Sequence, residues 1–470
     1  MKHPREYRGK QVVILGLALS GLAAAKVFHE LGAVVVANDR KERQLCPEAD
    51  ELEAMGISVI CGFHPESLIH AGVSLLVKNP GIPYHAGPVV QALELGIEVV
   101  TEVEVAYHLS QAPIIGITGS NGKTTTTTWV GRIFEAAGLN PIVAGNIGRS
   151  LCDAVAAAGP ENWMVVELSS FQLKGTDQFH PKIACLLNIY ETHLDYHGTM
   201  DDYTESKVKI FVNQNEHDLA IVNWDDEICR RMIPYLKADV LPFSRIKELA
   251  YGVYTAKPGT GAEDEPWIVY RDKQGEKFEI LAVKDIGILG KHNVENALAA
   301  TAAAVGAGVS HEVIARELRD FRGVEHRQEL VGVHKAVTFY NDSKATNPSA
   351  TIKALESFEQ PIVLIAGGLD RGMDYMELLP YFQKKVKALV TLGETKEKIN
   401  GIARMAGIRS IKSVDTAKTG ADAVNEAVKL AVPFAEEGDV VLFSPACASW
   451  DMFTSYEERG RMFKESVHTL

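Results

Sequence analysis

Residues 113–138, PIIGITGSNGKTTTTTWVGRIFEAAG, constrain the fold of this chain more than any other stretch. A short β-rich apolar run passes through two glycines into a long helical pattern, so a strand must deliver a glycine loop to a helix N-terminus. Gly119 and Gly122 let backbone N–H groups approach an anion, and the open amides of the helix start attract it. Lys123 can balance β- and γ-phosphate charge, and the Thr124 hydroxyl can hold Mg²⁺. The common phosphate-loop pattern has glycine where Ile117 stands, so this is a shorter Gly-x-x-Gly-Lys-Thr variant. The ordinary alternative is a glycine turn that only joins strand to helix; the Gly-Lys-Thr ending and both flanking elements favour phosphate.

The same alternation recurs along the chain. QVVILGL at 11–17, the helical SGLAAAKVFHELG and the strand-like AVVVAND open a doubly wound parallel sheet, which SLLVKNPG and IEVVTE extend to about residue 102. A second unit, 103–323, holds the glycine loop, the buried-looking runs MVVEL and IACLLNI, a polar β-hairpin excursion at 251–279 and the Ala-rich helix NVENALAATAAAVGAG. A third, 324–470, contains four strand-like runs, AVTFYND, PIVLIAGG, ALVTLG and DVVLFSP. The expected fold is therefore α/β in three domains: a Rossmann-like one, a central P-loop ATPase-like one and a second Rossmann-like one. At roughly 150 residues per domain, 470 residues also suggest about three.

Composition narrows the function. A net charge of −13 without a long Lys/Arg block argues against nucleic-acid or membrane-surface binding, so an anionic ligand must be met by locally placed groups. Six scattered cysteines without C-x-x-C spacing read as reduced thiols. The apolar stretch Val12–Phe28 is broken by Gly16, Ser20, Gly21 and Lys26, and MKHPREYRGK is no secretory leader; the expected location is the cytoplasm.

Other candidates are weaker taken singly. The turn GLALSG (Gly16, Ala18, Gly21) imitates a dinucleotide fingerprint with Ala18 at the glycine that admits a pyrophosphate, and Asp39 follows the next strand as a ribose-binding acid would. The turn can equally serve only to pack helix on strand. Glu167 ends an apolar strand where a carboxylate can reach Mg²⁺, or is simply an exposed strand-end residue. ETHLDYHGTMDDYTESKVKIF gathers His193, Asp195, His197 and Lys207; the ordinary readings are a polar loop and, for Lys207 and Lys209, a solvated helix face. GVEHRQEL, YNDSKATNP and FSPACASWDMF place Arg327, Lys344 and other polar groups at strand ends, where open α/β sheets bind ligands. Cys447 lacks a local activating pattern and reads as a small packing residue.

Taken together these segments resemble the Mur ligase family over nearly the whole chain. GSNGKTT is shared by the family, including folylpolyglutamate synthases, whereas ELSSFQL, NDSKATNP and SPACASWD point to its D-glutamate-adding members. The resemblance implies ATP-dependent addition of D-glutamate to UDP-N-acetylmuramoyl-L-alanine through an acyl phosphate, in peptidoglycan precursor synthesis, by a monomer. It assigns ATP to Gly119, Ser120, Asn121, Gly122, Lys123, Thr124, Thr125, Asn293, Asn296, Arg327 and Asp342. It implies two Mg²⁺ sites: Thr124 and Glu167 at the first, His193 and Lys207 around the second, the lysine carbamylated by CO₂. The UDP substrate falls to Ala18, Leu19, Ser20, Asp39, Arg40, Asn79, Gly81 and Asn146. D-Glutamate falls to Lys344, Ser449 and Tyr456, with Tyr456 where some members have Phe and Trp450 where they have a smaller aliphatic.

Three rival readings remain. Another ligase of the family would share GSNGKTT but not NDSKATNP. A nicotinamide oxidoreductase built on GLALSG is opposed by Ala18 and leaves the phosphate loop unused. A non-catalytic nucleotide switch leaves the charged residues of the third unit without a task.

Overall fold

The computed structural model describes every residue except 258–264, 289, 416–418, 450 and 451. Among the described residues, twenty strands form three sheets. The first holds β1 (Gln11–Leu15), β2 (Val34–Asp39), β3 (Ser58–Cys61), β4 (Val73–Lys78) and β5 (Val99–Val100), all parallel, in the order 3-2-1-4-5. The order reverses at β1, so the loops after β1 and β4 meet where an open sheet offers a ligand crevice.

The second sheet comprises β6 (Ile114–Thr118), β7 (Pro141–Gly145), β8 (Trp163–Glu167), β9 (Ile183–Leu186), β10 (Leu219–Asn223), β11 (Asp239–Ser244), β12 (Gly252–Ala256), β13 (Trp267–Arg271) and β14 (Lys277–Ala282). Its order is 14-13-12-11-10-9-6-8-7, parallel from β7 to β12, with β13 and then β14 paired antiparallel beyond β12 in the expected excursion. Strand β6 is buried along its whole length, and β8 and β9 flank it, which puts the chain after β6 at the centre of the sheet's C-terminal edge.

The third sheet contains β15 (Glu329–His334), β16 (Val337–Asn341), β17 (Ile362–Ala366), β18 (Val386–Thr391), β19 (Ser410–Ser413) and β20 (Val440–Phe443), ordered 15-16-20-17-18-19. Ile362, Leu364 and Ala366 pack into one apolar cluster and Val363 and Ile365 into another, so helices cover both faces of β17 and it reads as an unbroken apolar run. Four of these six strands stand out in the sequence; β15 and β19 do not, because both are partly exposed edge strands without a clean apolar period.

The first two sheets lie in one compact unit, Met1–Ile286 with Val294–Arg319, and the third lies in another, Gly287–Asn293 with Asp320–Leu470. No helix among the described residues is long and apolar enough to cross a membrane.

Candidate functional site

The loop after β6 enters the helix Lys123–Ala136 through Gly122, whose φ of +84° is left-handed. A Cβ there would stand 2.2 Å from Asn296 Oδ1, so backbone conformation and space both demand glycine. Lys123 Nζ donates to the carbonyls of Gly119 (2.9 Å) and Ser120 (3.0 Å), which curls the loop around its own ammonium. Thr124 and Thr125 are buried at the helix start. Asn188, just beyond β9, clasps the loop from the other side: Asn121 N–H donates to its Oδ1 (2.9 Å), its Nδ2 donates to Asn121 O (3.2 Å), and Ser120 N–H donates to its carbonyl (2.9 Å). Ser120 also shares a 2.8 Å hydrogen bond with Tyr203 OH. Neither Asn188 nor Tyr203 stands out in the sequence, although Tyr203 lies one helical turn before Lys207.

Lys207 corrects the reading of a solvated helix face. It sits on the helix Met200–Val212 with 2% of its surface exposed, and Nζ donates to Gly119 O (2.8 Å) and Thr118 Oγ1 (3.4 Å). Two lysines thus converge on one carbonyl. Burial, and then the Lys123 charge, push the Lys207 ammonium well below its ordinary range. Lys209 is half-buried and donates to Lys174 O and Thr176 O.

Glu167 is likewise not an exposed strand end. It is 1% exposed; Oε1 accepts from Asn146 Nδ2 (2.8 Å), while Oε2 is buried with no hydrogen-bond partner among the described residues. An orphaned carboxylate oxygen in such surroundings is costly and suits a cation. No group of three or more His, Cys, Asp or Glu side chains arranged to hold a metal ion occurs among the described residues. His193, left-handed at φ +58°, lies edge-on to Phe171 (5.0 Å between centroids), and burial followed by the Lys123 charge holds its imidazole toward the neutral form. Asn296 is buried beside the loop and accepts weakly from Thr126 Oγ1 (3.4 Å); Asn293, one turn earlier on the helix Lys291–Gly306, is also buried.

At the first sheet, the turn after β1 meets the turn after β4. A Cβ on Gly21 would fall 1.9 Å from Gly16 O, so this glycine is required for close helix-to-strand packing. Asp39 accepts from Leu17 N–H (2.8 Å) and Lys41 N–H (2.9 Å), one bond to each carboxylate oxygen. Asn79 Nδ2 donates to Ser20 Oγ (3.1 Å), and Gly81 N–H donates to Asn79 Oδ1 (3.2 Å). Ala18, Leu19 and Arg40 are exposed along the same rim.

In the second unit, Asp342 follows the last residue of β16 and is buried, accepting from Ser444 Oγ (2.7 Å) and Gln328 N–H (3.2 Å). Burial pushes its carboxyl up to about 7, opposed by the Ser444 hydrogen bond and the Arg327 charge. Lys344 Nζ stands 5.5 Å from the Tyr456 ring centroid. The wholly buried Arg459 organises the neighbourhood: Nε donates to Ser343 Oγ (3.0 Å), one terminal nitrogen to Ser343 O (2.8 Å), and the other to Cys447 O (3.2 Å) and Ala448 O (3.3 Å). It thereby ties the segment before Lys344 to the segment before Ser449. Cys447 is buried, as expected of a packing residue, and Trp450 lies outside the described residues.

A glycine loop drawn around Lys123, the buried Lys207 on the same carbonyl, an orphaned carboxylate, and a third sheet with a buried arginine and aspartate beside its strand ends fit a class that sequence comparison confirms. Family models match in chain order: the Mur ligase MurD-like N-terminal domain at 10–101, the Mur ligase middle domain at 117–304, and the Mur ligase glutamate ligase domain at 326–447. The chain belongs to the Mur ligase family. It is 48% identical over 471 residues to the UDP-N-acetylmuramoylalanine–D-glutamate ligase of Geobacillus kaustophilus, and 47% identical over 470 residues to that of Bacillus mycoides, each alignment covering 100% of both proteins. Among solved structures it shares the fold of UDP-N-acetylmuramate-alanine ligase MurC from Thermotoga maritima (TM-score 0.56, 19% identity, 98% and 99% of the two chains). It also shares that of MurF from Acinetobacter baumannii (TM-score 0.57, 19% identity, 92% and 91%).

Proposed function

We propose that this chain joins D-glutamate to UDP-N-acetylmuramoyl-L-alanine, with ATP converted to ADP and phosphate, in peptidoglycan precursor synthesis. The single observation that carries the reading is the 48% identity, spread over all three sheets, to a ligase named for this reaction. The geometry supports the chemistry. A carboxylate resists attack by an amine, so it must first be phosphorylated; the glycine loop and Lys123 are built to hold the transferring phosphoryl group and offset its charge. The amine of D-glutamate, arriving deprotonated, then displaces phosphate from the acyl phosphate and forms the amide.

The residue roles follow that scheme. Gly119 to Thr125, Asn293, Asn296, Arg327 and Asp342 take ATP; Ala18, Leu19, Ser20, Asp39, Arg40, Asn79, Gly81 and Asn146 take the UDP substrate; Lys344, Ser449 and Tyr456 take D-glutamate. Bound Mg²⁺ would supply charge neutralisation across the phosphate oxygens, with Thr124 and Glu167 holding one ion and His193 and a carbamylated Lys207 around a second. Burial supports that modification of Lys207: the neutral amine adds to CO₂, loses a proton and becomes an anionic oxygen ligand. We place domain boundaries at 102/103 and 323/324 and read the protein as a cytoplasmic monomer without nucleic-acid or membrane partners.

The test is phosphate release in the presence of ATP, Mg²⁺ and UDP-N-acetylmuramoyl-L-alanine with D-glutamate, L-glutamate or neither. Release is expected with D-glutamate alone; equal release with L-glutamate, or none with either, overturns the reading. For Lys207, ¹³C-bicarbonate labelling should give a carbamate resonance that Lys207→Ala removes. A wild-type spectrum without it refutes the modification.

A further inference from the structure

One buried cation takes no part in the site described above. Lys78, the last residue of β4, is 1% exposed, and no carboxylate pairs with it among the described residues. Its Nζ instead donates to the carbonyls of Ile82 (2.8 Å) and Pro80 (3.2 Å) and to the hydroxyl of Tyr196 (3.2 Å), with Asn79 O at 3.5 Å. Tyr196 completes the arrangement, because its hydroxyl lies 3.1 Å from Pro80 O and 3.2 Å from Ile82 O and donates into the same pair of carbonyls. The ammonium also lies 4.8 Å from the centroid of the Tyr84 ring. Residues 79–82 are therefore gripped on one side by a lysine from their own sheet and a tyrosine from the second.

The two ends of this contact chain are informative. Tyr196 belongs to the short helix Leu194–His197 that His193 caps, and its ring lies edge-on to Phe171 at 4.5 Å, the same ring that His193 meets. On the other side, the gripped turn presents Asn79, which reaches Ser20 in the turn after β1. A continuous path runs from the loop of His193 through Tyr196, Lys78 and Asn79 to the turn proposed to hold the UDP end. Holding an unpaired cation in such a place is unfavourable, and burial together with nearby Lys174 draws the ammonium down to about 7. A methionine would fill the same space without that cost, so packing alone does not account for a lysine.

We infer that Lys78 and Tyr196 are positioning residues that fix the Asn79–Ile82 turn against the loop carrying His193, and so set where the UDP end of the substrate is anchored relative to the reacting carboxylate. The inference rests on the substrate reading given above. A long substrate bound at one end and reacting at the other requires its anchor to be held at a fixed distance from the phosphate loop, since a displacement of about 1 Å is enough to cost a large factor in rate.

The experiment compares wild type with Lys78→Met, which keeps the side-chain volume, Tyr196→Phe, which removes one hydroxyl, and the double variant. UDP affinity is measured by calorimetry, and the KM for each of the three substrates by steady-state kinetics. Lys78→Met should weaken UDP binding and raise the KM for the UDP substrate about tenfold, Tyr196→Phe several-fold, and the KM values for ATP and D-glutamate should stay within twofold. The double variant should resemble Lys78→Met alone, because both groups act on the same carbonyls. If Lys78→Met fails to fold, Tyr196→Phe carries the test. UDP affinity and KM unchanged in the folded variants, with only thermal stability lowered, would make the pair merely structural and overturn the inference. A wild type that does not bind UDP would instead overturn the substrate reading, and the inference with it.

Discussion

The glycine loop of the central sheet and the polar strand ends of the third sheet, to which the proposed function gives ATP and D-glutamate, are built in opposite ways. In the loop, one peptide from Thr118 to Thr125 supplies the amides, the lysine and the hydroxyl, and Lys207 and Glu167 complete it from adjacent strands and helices. In the third sheet, the groups come from four separate segments around His326, Asp342, Cys447 and Tyr456, and buried Arg459 holds three of them in register. The first arrangement is fixed by local backbone geometry and tolerates little change. The second depends on long-range side-chain contacts.

If that contrast is right, the largest effect belongs to the local loop. Lys123→Ala should lower kcat by on the order of 10²–10³ or more, since a charge partner of the transferring phosphoryl group is lost. Binding of the UDP substrate, measured by calorimetry, should be nearly unchanged. A near-normal kcat would remove the loop from the reaction.

Next in size is the burial of Asp342. With its folded carboxyl near 7 and its unfolded one near 3.8, the unfolded state ionises first as pH rises. Wild-type stability of the second unit should therefore fall between about pH 4 and pH 7 and level off above, by on the order of 4 kcal/mol. Asp342→Asn lacks that titration, so in urea unfolding followed across this range the variant should gain on wild type as pH rises. A gap that stays constant from pH 4 to pH 8 would show that the carboxyl is not held neutral by burial.

How much was legible in the sequence follows the same division. Alternating apolar runs and glycine turns reveal the three α/β sheets, and the Gly-Lys-Thr ending reveals the loop, because both are written in contiguous residues. Lys207 and Glu167 look ordinary in sequence, since nothing local states that a Lys-x-Lys pair turns one member inward or that a strand-end glutamate is covered. Asn188, Tyr203, Lys78 and Arg459 are invisible for the same reason: each has a side-chain or backbone partner between 67 and 118 positions away. The edge strands β15 and β19 escape notice because an edge needs no continuous apolar run.

The division of labour itself is tested by one steady-state matrix, in which Asp39→Ala and Lys344→Ala are each measured against ATP, D-glutamate and the UDP substrate. Loss of one charged hydrogen bond, about 1.5–3 kcal/mol, should make Lys344→Ala roughly ten- to a hundred-fold poorer with D-glutamate while the KM for ATP barely moves. Asp39→Ala should do the reverse, raising the KM for the UDP substrate and sparing that for D-glutamate. A Lys344→Ala enzyme whose KM for ATP rises as much as that for D-glutamate would contradict the account and make Lys344 a nucleotide-side residue.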